Sequence, residues 1–312
     1  MRREPRFVSR ERHTKSMSRR ITIGIAALAA LGCAAGAFYW LHARGAQPVP
    51  EVAVPEPPGF REAPPVEKSP SAAVAVPASI ADPKKAPAPA DDGLPLRAGE
   101  VLEYTANVAN LSNVANLRLQ VASRGNFAGR IAWHLQAFAH TENPLRMVFE
   151  LDDQFDSYSD AATMASLQYE MHLSERGQKV ESVQRMTTTG KEPAPPDATA
   201  TQVVPGTRDP LGMMQYLRNV DWTKTPEVRG PVYDGHKLYD ARAKLTGTSA
   251  EVAVPAGNYK ASKIAIRVFE NGVEMKDASF TLYLANNAAR TPVLLEAILP
   301  FATARVELSK VK

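Results

Sequence analysis

From Gly99 onward apolar residues return at every second position, and this period of two restricts most of the chain to strands with one wet face and one buried face. Leu102, Tyr104, Ala106 and Val108 alternate with Val101, Glu103, Thr105 and Asn107. Leu117, Leu119 and Val121 alternate with Arg118 and Gln120, and Ile131, Trp133, Leu135 and Ala137 with His134 and Gln136. Leu145, Met147, Phe149 and Leu151 keep the same spacing and predict another strand, followed by Leu167, Tyr169, Met171 and Leu173 opposite Gln168, Glu170 and His172. After residue 235 the pattern resumes. Leu238 lies on the side of Asp240, Arg242 and Lys244, then come Ile264, Ile266 and Val268, then Phe280, Leu282 and Leu284, and finally the segments 292–298 and 301–309. Asn271-Gly272 reads as a two-residue hairpin turn, because both positions tolerate the positive φ that type I′ requires. Glu175-Arg176-Gly177-Gln178 and Pro255-Ala256-Gly257-Asn258 are further turn signals.

One helix interrupts the strands. Asp209-Pro210 is an N-cap and first-turn pair, and Leu211, Met213, Met214, Tyr216, Leu217 and Val220 form an apolar stripe at helical spacing, predicting a helix over 209–222. The fold expected is all-β and mainly antiparallel, a closed or half-open β-barrel of about eleven to thirteen strands whose helix covers an open end.

Charge and cysteine divide the chain. Residues 1–20 carry eight Lys/Arg against two Glu, 42–95 carry five against seven acids, and 96–312 carry 24 against 24. The basic excess therefore belongs to a short N-terminal tail, and the balanced domain offers no nucleic-acid footprint. Cys33 is the lone cysteine, so no disulfide supports the domain, but 217 residues suffice for one hydrophobic core.

Ile21–Leu41 is an uncharged apolar run of 21 residues, a helix of roughly 31 Å against a hydrocarbon core of roughly 30 Å. With the basic tail before it, the positive-inside rule places the N-terminus in the cytoplasm and residues 42–312 in the periplasm, anchored in a bacterial inner membrane. Three readings of the run stand open: a permanent anchor, a signal peptide cleaved at Ala35-Gly36-Ala37, and a lipoprotein signal ending at Cys33. Phe38-Tyr39-Trp40, an aromatic group at the expected interface, favours the anchor; cleavage would release the domain into the periplasm. Gly32 and Gly36 form a G-x-x-x-G pair through which two such helices could dimerise. Residues 42–95 are Pro/Ala-rich, with 13 of the 25 prolines between 46 and 95, and are expected to be a disordered or polyproline II tether.

The domain resembles a bacterial envelope family known as domain of unknown function 3108. The resemblance rests on Gly-Glu-Val-Leu-Glu-Tyr at 99–104, Asp-Asp-Gln-Phe-Asp-Ser-Tyr at 152–158, Arg208-Asp209-Pro210-Leu211 leading to Tyr216-Leu217-Arg218, and Val232-Tyr233-Asp234-Gly235. Val254-Pro255-Ala256-Gly257, Arg290-Thr291-Pro292-Val293 and Leu299-Pro300-Phe301 complete it. It implies an exported β-barrel and no particular activity.

Candidate chemistry is sparse. Asp152, Asp153, Asp156 and Asp160 form the densest carboxylate group, which could hold Ca²⁺ or supply an acid for a hydrolase, although no EF-hand loop is present and a solvated turn between strands is the plainer reading. Of the six histidines none lies at H-x-x-x-H spacing, and His134, His172 and His236 are expected on polar strand faces. No nucleophile elbow and no phosphate-binding loop occurs, so neither an enzyme nor a cofactor is expected. Met213, Met214, Tyr216 and Leu217 could line a cavity for a lipid-like ligand, since Met adapts to irregular apolar shapes; they could equally plug the barrel. The expected function is a non-catalytic envelope binding or scaffold module. A ligand-free docking barrel and an envelope hydrolase are the alternatives.

Overall fold

The alternation of apolar and polar residues becomes one continuous sheet. The structure, a computed structural model, describes residues 95–189, 196–298 and 303–312. The basic tail, the apolar run with Gly32, Cys33 and Gly36, and almost all of the Pro-rich segment lie outside the described residues, and no helix among the described residues is long and apolar enough to cross a membrane.

The strands are β1 (Val101–Val108), β2 (Leu111–Phe127), β3 (Arg130–Thr141), β4 (Asp152–Asp160), β5 (Ser166–Glu175), β6 (Gln178–Thr187) and β7 (Thr199–Gln202). Helix α1 (Pro210–Asn219) follows, and then β8 (Glu227–Tyr233), β9 (Leu238–Val254), β10 (Gly257–Glu270), β11 (Val273–Ala285), β12 (Pro292–Ile298) and β13 (Thr303–Val311). All thirteen lie in one sheet of order β7-β6-β5-β4-β3-β2-β1-β13-β12-β11-β10-β9-β8. Every neighbouring pair is antiparallel except β6–β7, which is parallel, and all but β1–β13 of the antiparallel pairs are consecutive in the chain. The first and last strands meet in the middle of the sheet, with Leu102 opposite Val311 and Tyr104 opposite Leu308. Both free edges, β7 and β8, consequently fall in mid-chain, on either side of α1.

The sheet curls around its apolar face but does not close strand to strand. A short strap replaces the missing ladder: Ser166 N–H donates to Thr207 O (3.0 Å), Arg208 N–H to Pro231 O (3.0 Å) and Tyr233 N–H to Arg208 O (2.8 Å). Of the two architectures expected, the half-open one is found. Edge strand β8 carries Pro231, which a central strand would not accommodate because it removes a ladder donor.

Helix α1 fills the curl. Asp209 caps it, accepting the Gly212 N–H at 2.8 Å, and Leu211, Met213, Met214 and Leu217 are buried in the core. Gly212 is required by close approach: a Cβ there would meet Ser159 Oγ at 2.9 Å and Met164 O at 3.1 Å. At the C-terminal end the Arg290 guanidinium donates to Arg218 O (3.1 Å) and Val220 O (2.7 Å). The Arg218 side chain, fully buried, forms a two-pronged ion pair with Glu100 (2.8 and 3.0 Å) and also bonds Gln215 Oε1 and Ala289 O.

Three expectations change. Leu145–Leu151 is not a strand: Leu145–Met147 is a single 3₁₀ turn after Pro144, with Met147 and Val148 exposed, because local bonds such as Val148 N–H to Leu145 O satisfy the backbone. The helix ends at Asn219 rather than 222; Trp222 instead folds back and donates to Leu217 O. Strands β6, β7 and β8 gave no clean alternation because their faces are mixed; β6 turns buried only toward its end. The Asn271-Gly272 turn is as expected, with φ of 50° and 80°.

Removing one side of the buried Glu100–Arg218 pair leaves an unpaired charge in the core. Arg218→Met is expected to lower the unfolding free energy by about 3–5 kcal/mol in urea denaturation, and the double variant Glu100→Leu/Arg218→Met to recover part of that loss. Equal stability of Arg218→Met and wild type would show that the pair does not hold α1.

Candidate functional site

Beside α1 the strap and the β4–β5 turn leave an open cleft of about 470 Å³, lined in part by Met164, Arg208, Tyr216, Val220 and Val228. Arg208 is nine-tenths buried there. Its guanidinium stacks on the Tyr216 ring, 3.7 Å from the centroid, and donates to Gly206 O (3.0 Å) and Thr163 O (2.8 Å). Gly230 makes the room, since a Cβ at that position would come within 3.1 Å of Nη1. No carboxylate among the described residues pairs with this arginine. Asp221, on the cleft rim, pairs with Lys224 instead. Burial accordingly lowers the Arg208 pKa. Arginine has five donors and two are engaged here with carbonyls, so the cation keeps hydrogen-bonding capacity toward the cleft. Asn219 Oδ1, also in the lining residues, is buried with no partner.

The four residues expected to line a cavity separate. Met213, Met214 and Leu217 are in the packed core, whereas Tyr216 is half-buried and reaches the cleft. At the other end of the interior, Ala106, Leu117, Phe149 and Leu151 surround a void of about 30 Å³, room for about one water molecule and far too small for an acyl chain. Arg208 was not foreseen as a site residue. A single arginine ahead of a helix carries no motif, and its lack of a counter-ion is visible only in three dimensions.

The aspartates expected in a solvated turn lie on strand β4, where alternation sends Asp153 to the face opposite Asp152, Asp156 and Asp160, which are spread along the strand. Asp152 is exposed and pairs with Arg146 (2.7 Å). Asp160 closes the β4–β5 turn, accepting the Ala162 and Thr163 N–H groups and pairing with Arg130. Asp156 points outward and accepts His134, Gln136 and Gln154 at 2.7–2.8 Å. Asp153 points inward beside Glu175, and burial raises both, Asp153 to about 6 and Glu175 to about 7. The four therefore make no common metal site. His134 and His172 occupy the outer face as expected, while His236 sits in the β8–β9 turn rather than on a strand.

Residues 103–309 match the family described as a protein of unknown function, DUF3108. The chain belongs to the DUF3108 family. Among curated proteins none matches it. Solved structures similar to it include a β-barrel-like protein of domain of unknown function DUF1849 from Brucella abortus. That protein is 11% identical, with a TM-score of 0.45, covering 69% of this chain and 97% of its own. A Parabacteroides distasonis protein, provisionally described as a lipoprotein, is 12% identical with a TM-score of 0.33, covering 70% and 98%. A Bacteroides fragilis protein with a YmcC-like fold, provisionally described as exported, is 11% identical with a TM-score of 0.27, covering 70% and 98%.

In this DUF3108 protein several of the segments that carried the resemblance touch one another. Glu100 holds Arg218, Tyr104 Oη donates to Pro292 O (2.8 Å), and Tyr233 N–H bonds Arg208 O. They frame the helix and the strap.

The inward Asp153 and Glu175 make stability depend on pH. Their raised values mean that the folded chain keeps protons which the unfolded chain has already released. Their stabilising contribution is complete below about pH 4 and is lost as the pH rises through 6 and 7. Melting temperature is expected to fall between pH 5 and 8, by the equivalent of about 2 kcal/mol, and Asp153→Asn to flatten this fall. An unchanged slope in the variant would remove the pair as the cause.

Proposed function

We propose that this protein is a non-catalytic cell-envelope binding module that takes an anionic amphiphile, such as a fatty acid, in the cleft beside α1. One observation carries the reading: Arg208, buried against Tyr216 without a carboxylate, is a cation that lacks a counter-charge. Burying an uncompensated charge is costly, and an acidic headgroup would offset the cost through charge-assisted hydrogen bonds. Met164, Tyr216, Val220 and Val228 offer apolar surface to the attached chain, and the cleft volume falls within the usual range for small-molecule sites. Met213, Met214 and Leu217 then serve as the packed floor.

Native mass spectrometry and uptake of a fluorescent fatty acid by the purified full chain test this. The expected result is binding of the acid at least tenfold tighter than of the matching alcohol, with that preference lost in Arg208→Met. An apo mass with no uptake would leave a ligand-free docking barrel, a reading favoured by the dense packing around Met213 and Leu217. Equal binding of acid and alcohol would remove the role of Arg208.

The same reading keeps the protein in the inner membrane through Ile21–Leu41, with the barrel in the periplasm. It is supported by the eight Lys/Arg before that run. Alkaline phosphatase fused after Lys312 is expected to be active; an inactive fusion, together with an active cytoplasmic reporter at the same point, would reverse the topology.

A further inference from the structure

We propose that Asp156, Glu170 and His172 form a binding site for a divalent transition-metal ion of the zinc class on the outer face of the sheet. The site is independent of the cleft beside α1 and is assembled by register. On β4 and β5 Asp156 stands directly opposite Glu170, and Gln154 opposite His172, so the three side chains share one face. One ligand atom from each lies within 4.8 Å of the other two. His172 Nε2 is 3.6 Å from Glu170 Oε2 and 4.0 Å from Asp156 Oδ2. Ligand atoms held about 2.1 Å from one tetrahedral ion lie roughly 3.4 Å apart, so only small side-chain movements separate this arrangement from coordination.

Two further observations point to a cation. First, His172 is oriented like a metal ligand. Its Nδ1 bonds the Glu181 carboxylate, supplied by the next strand at the position opposite His172. A proton held on Nδ1 leaves the Nε2 lone pair facing Asp156 and Glu170, the carboxylate–imidazole–metal relay common at zinc sites. Second, the charges do not balance. Asp156, Glu170 and Glu181 crowd two adjoining strand pairs, and no Lys or Arg pairs with any of them among the described residues. Like charges directly opposite in a sheet destabilise it, and a divalent ion would reverse that sign.

The surroundings fix the ligands and leave access. Asp156 is held by three donors, His134 Nε2 (2.7 Å), Gln136 Nε2 (2.8 Å) and Gln154 Nε2 (2.7 Å), and its side chain is only 6% exposed. Gln168 donates to Glu170 Oε1, which leaves Oε2 for the ion. His134 is itself fixed by stacking on Tyr158, 4.5 Å between centroids. The His172 side chain is one-third exposed, so water can complete the coordination sphere. An imidazole nitrogen among the donors selects zinc-class ions over Mg²⁺ and Ca²⁺, which prefer oxygen alone. Of the aspartates that first drew attention as an oxygen cluster, only Asp156 takes part.

The test is isothermal titration calorimetry of the full chain with Zn²⁺, Mg²⁺ or Ca²⁺ as the sole added metal, with metal-free thermal melts confirming that each variant is folded. One equivalent of Zn²⁺ is expected to bind, with Mg²⁺ and Ca²⁺ much weaker. His172→Ala and Glu170→Gln should each lose at least tenfold in affinity. Glu181→Gln, which keeps all three ligands, should lose roughly tenfold through the imidazole orientation. His140→Ala, at an exposed histidine on the same sheet, should bind as wild type does. Absence of stoichiometric Zn²⁺ binding, or wild-type affinity in folded His172→Ala, would overturn the proposal.

Discussion

The buried carboxylate of Asp209 is the contact on which the architecture turns. It has no exposed surface, and burial raises its pKa against the opposing pull of the hydrogen bonds it accepts from Ser157, Ser166 and the first turn of α1. Asp209 N–H in turn donates to Ser166 Oγ (2.7 Å). One residue thereby ends the strap, starts the helix and fastens both to β4 and β5. The two free edges, β7 and β8, share no ladder of their own, and the strap that Asp209 ends joins them, together with the bond from Gln184 Nε2 to Gly235 O (2.7 Å). An exposed pair of edges would offer unpaired backbone groups to any other strand.

A second fastening works at the other end of α1, through Arg218 and Glu100 inside and Arg290 at the carbonyl end. A positive charge near the last turn suits the helix dipole, and Arg290 also satisfies carbonyls at the helix end, while Arg218 satisfies Ala289 O. Arg218 has a carboxylate partner in Glu100, which sets Arg208 apart from it. Arg208 is a buried cation of the same type, ten residues earlier in the chain, whose partners among the described residues are carbonyls and an aromatic ring.

Inner and outer faces of the sheet do different electrostatic work. Inside, burial raises the pKa of Asp153 and of Glu175, because it disfavours their ionised forms. Outside, Asp156 remains ionised even though burial works against it, since His134, Gln154 and Gln136 all donate to it. Asp153 and Asp156 are three residues apart on one strand, and alternation alone puts them in these opposite environments.

Much of this was legible in the residues. The alternation from Leu102 to Val108, the Asn271-Gly272 turn and the Asp209-Pro210 helix start all depend on interactions within a few positions, so local composition encodes them. Leu145–Leu151 misled because its spacing matches a strand while the turn after Pro144 satisfies the backbone locally. Strand β8 was obscured because an edge strand has no need of a clean apolar face. The site was not legible. That Arg208 has no carboxylate partner among the described residues, that Glu170 and His172 lie beside Asp156 while Asp152 and Asp160 do not, and that Met213 and Leu217 face the core rather than the cleft are consequences of register and curvature. Sequence by itself determined that the domain is built of amphipathic strands with one capped helix, because hydrophobic period and backbone capping are short-range. Which charges end up facing one another was decided by the tertiary structure, because strand pairing brings together residues far apart in the chain and burial sets the cost of each charge.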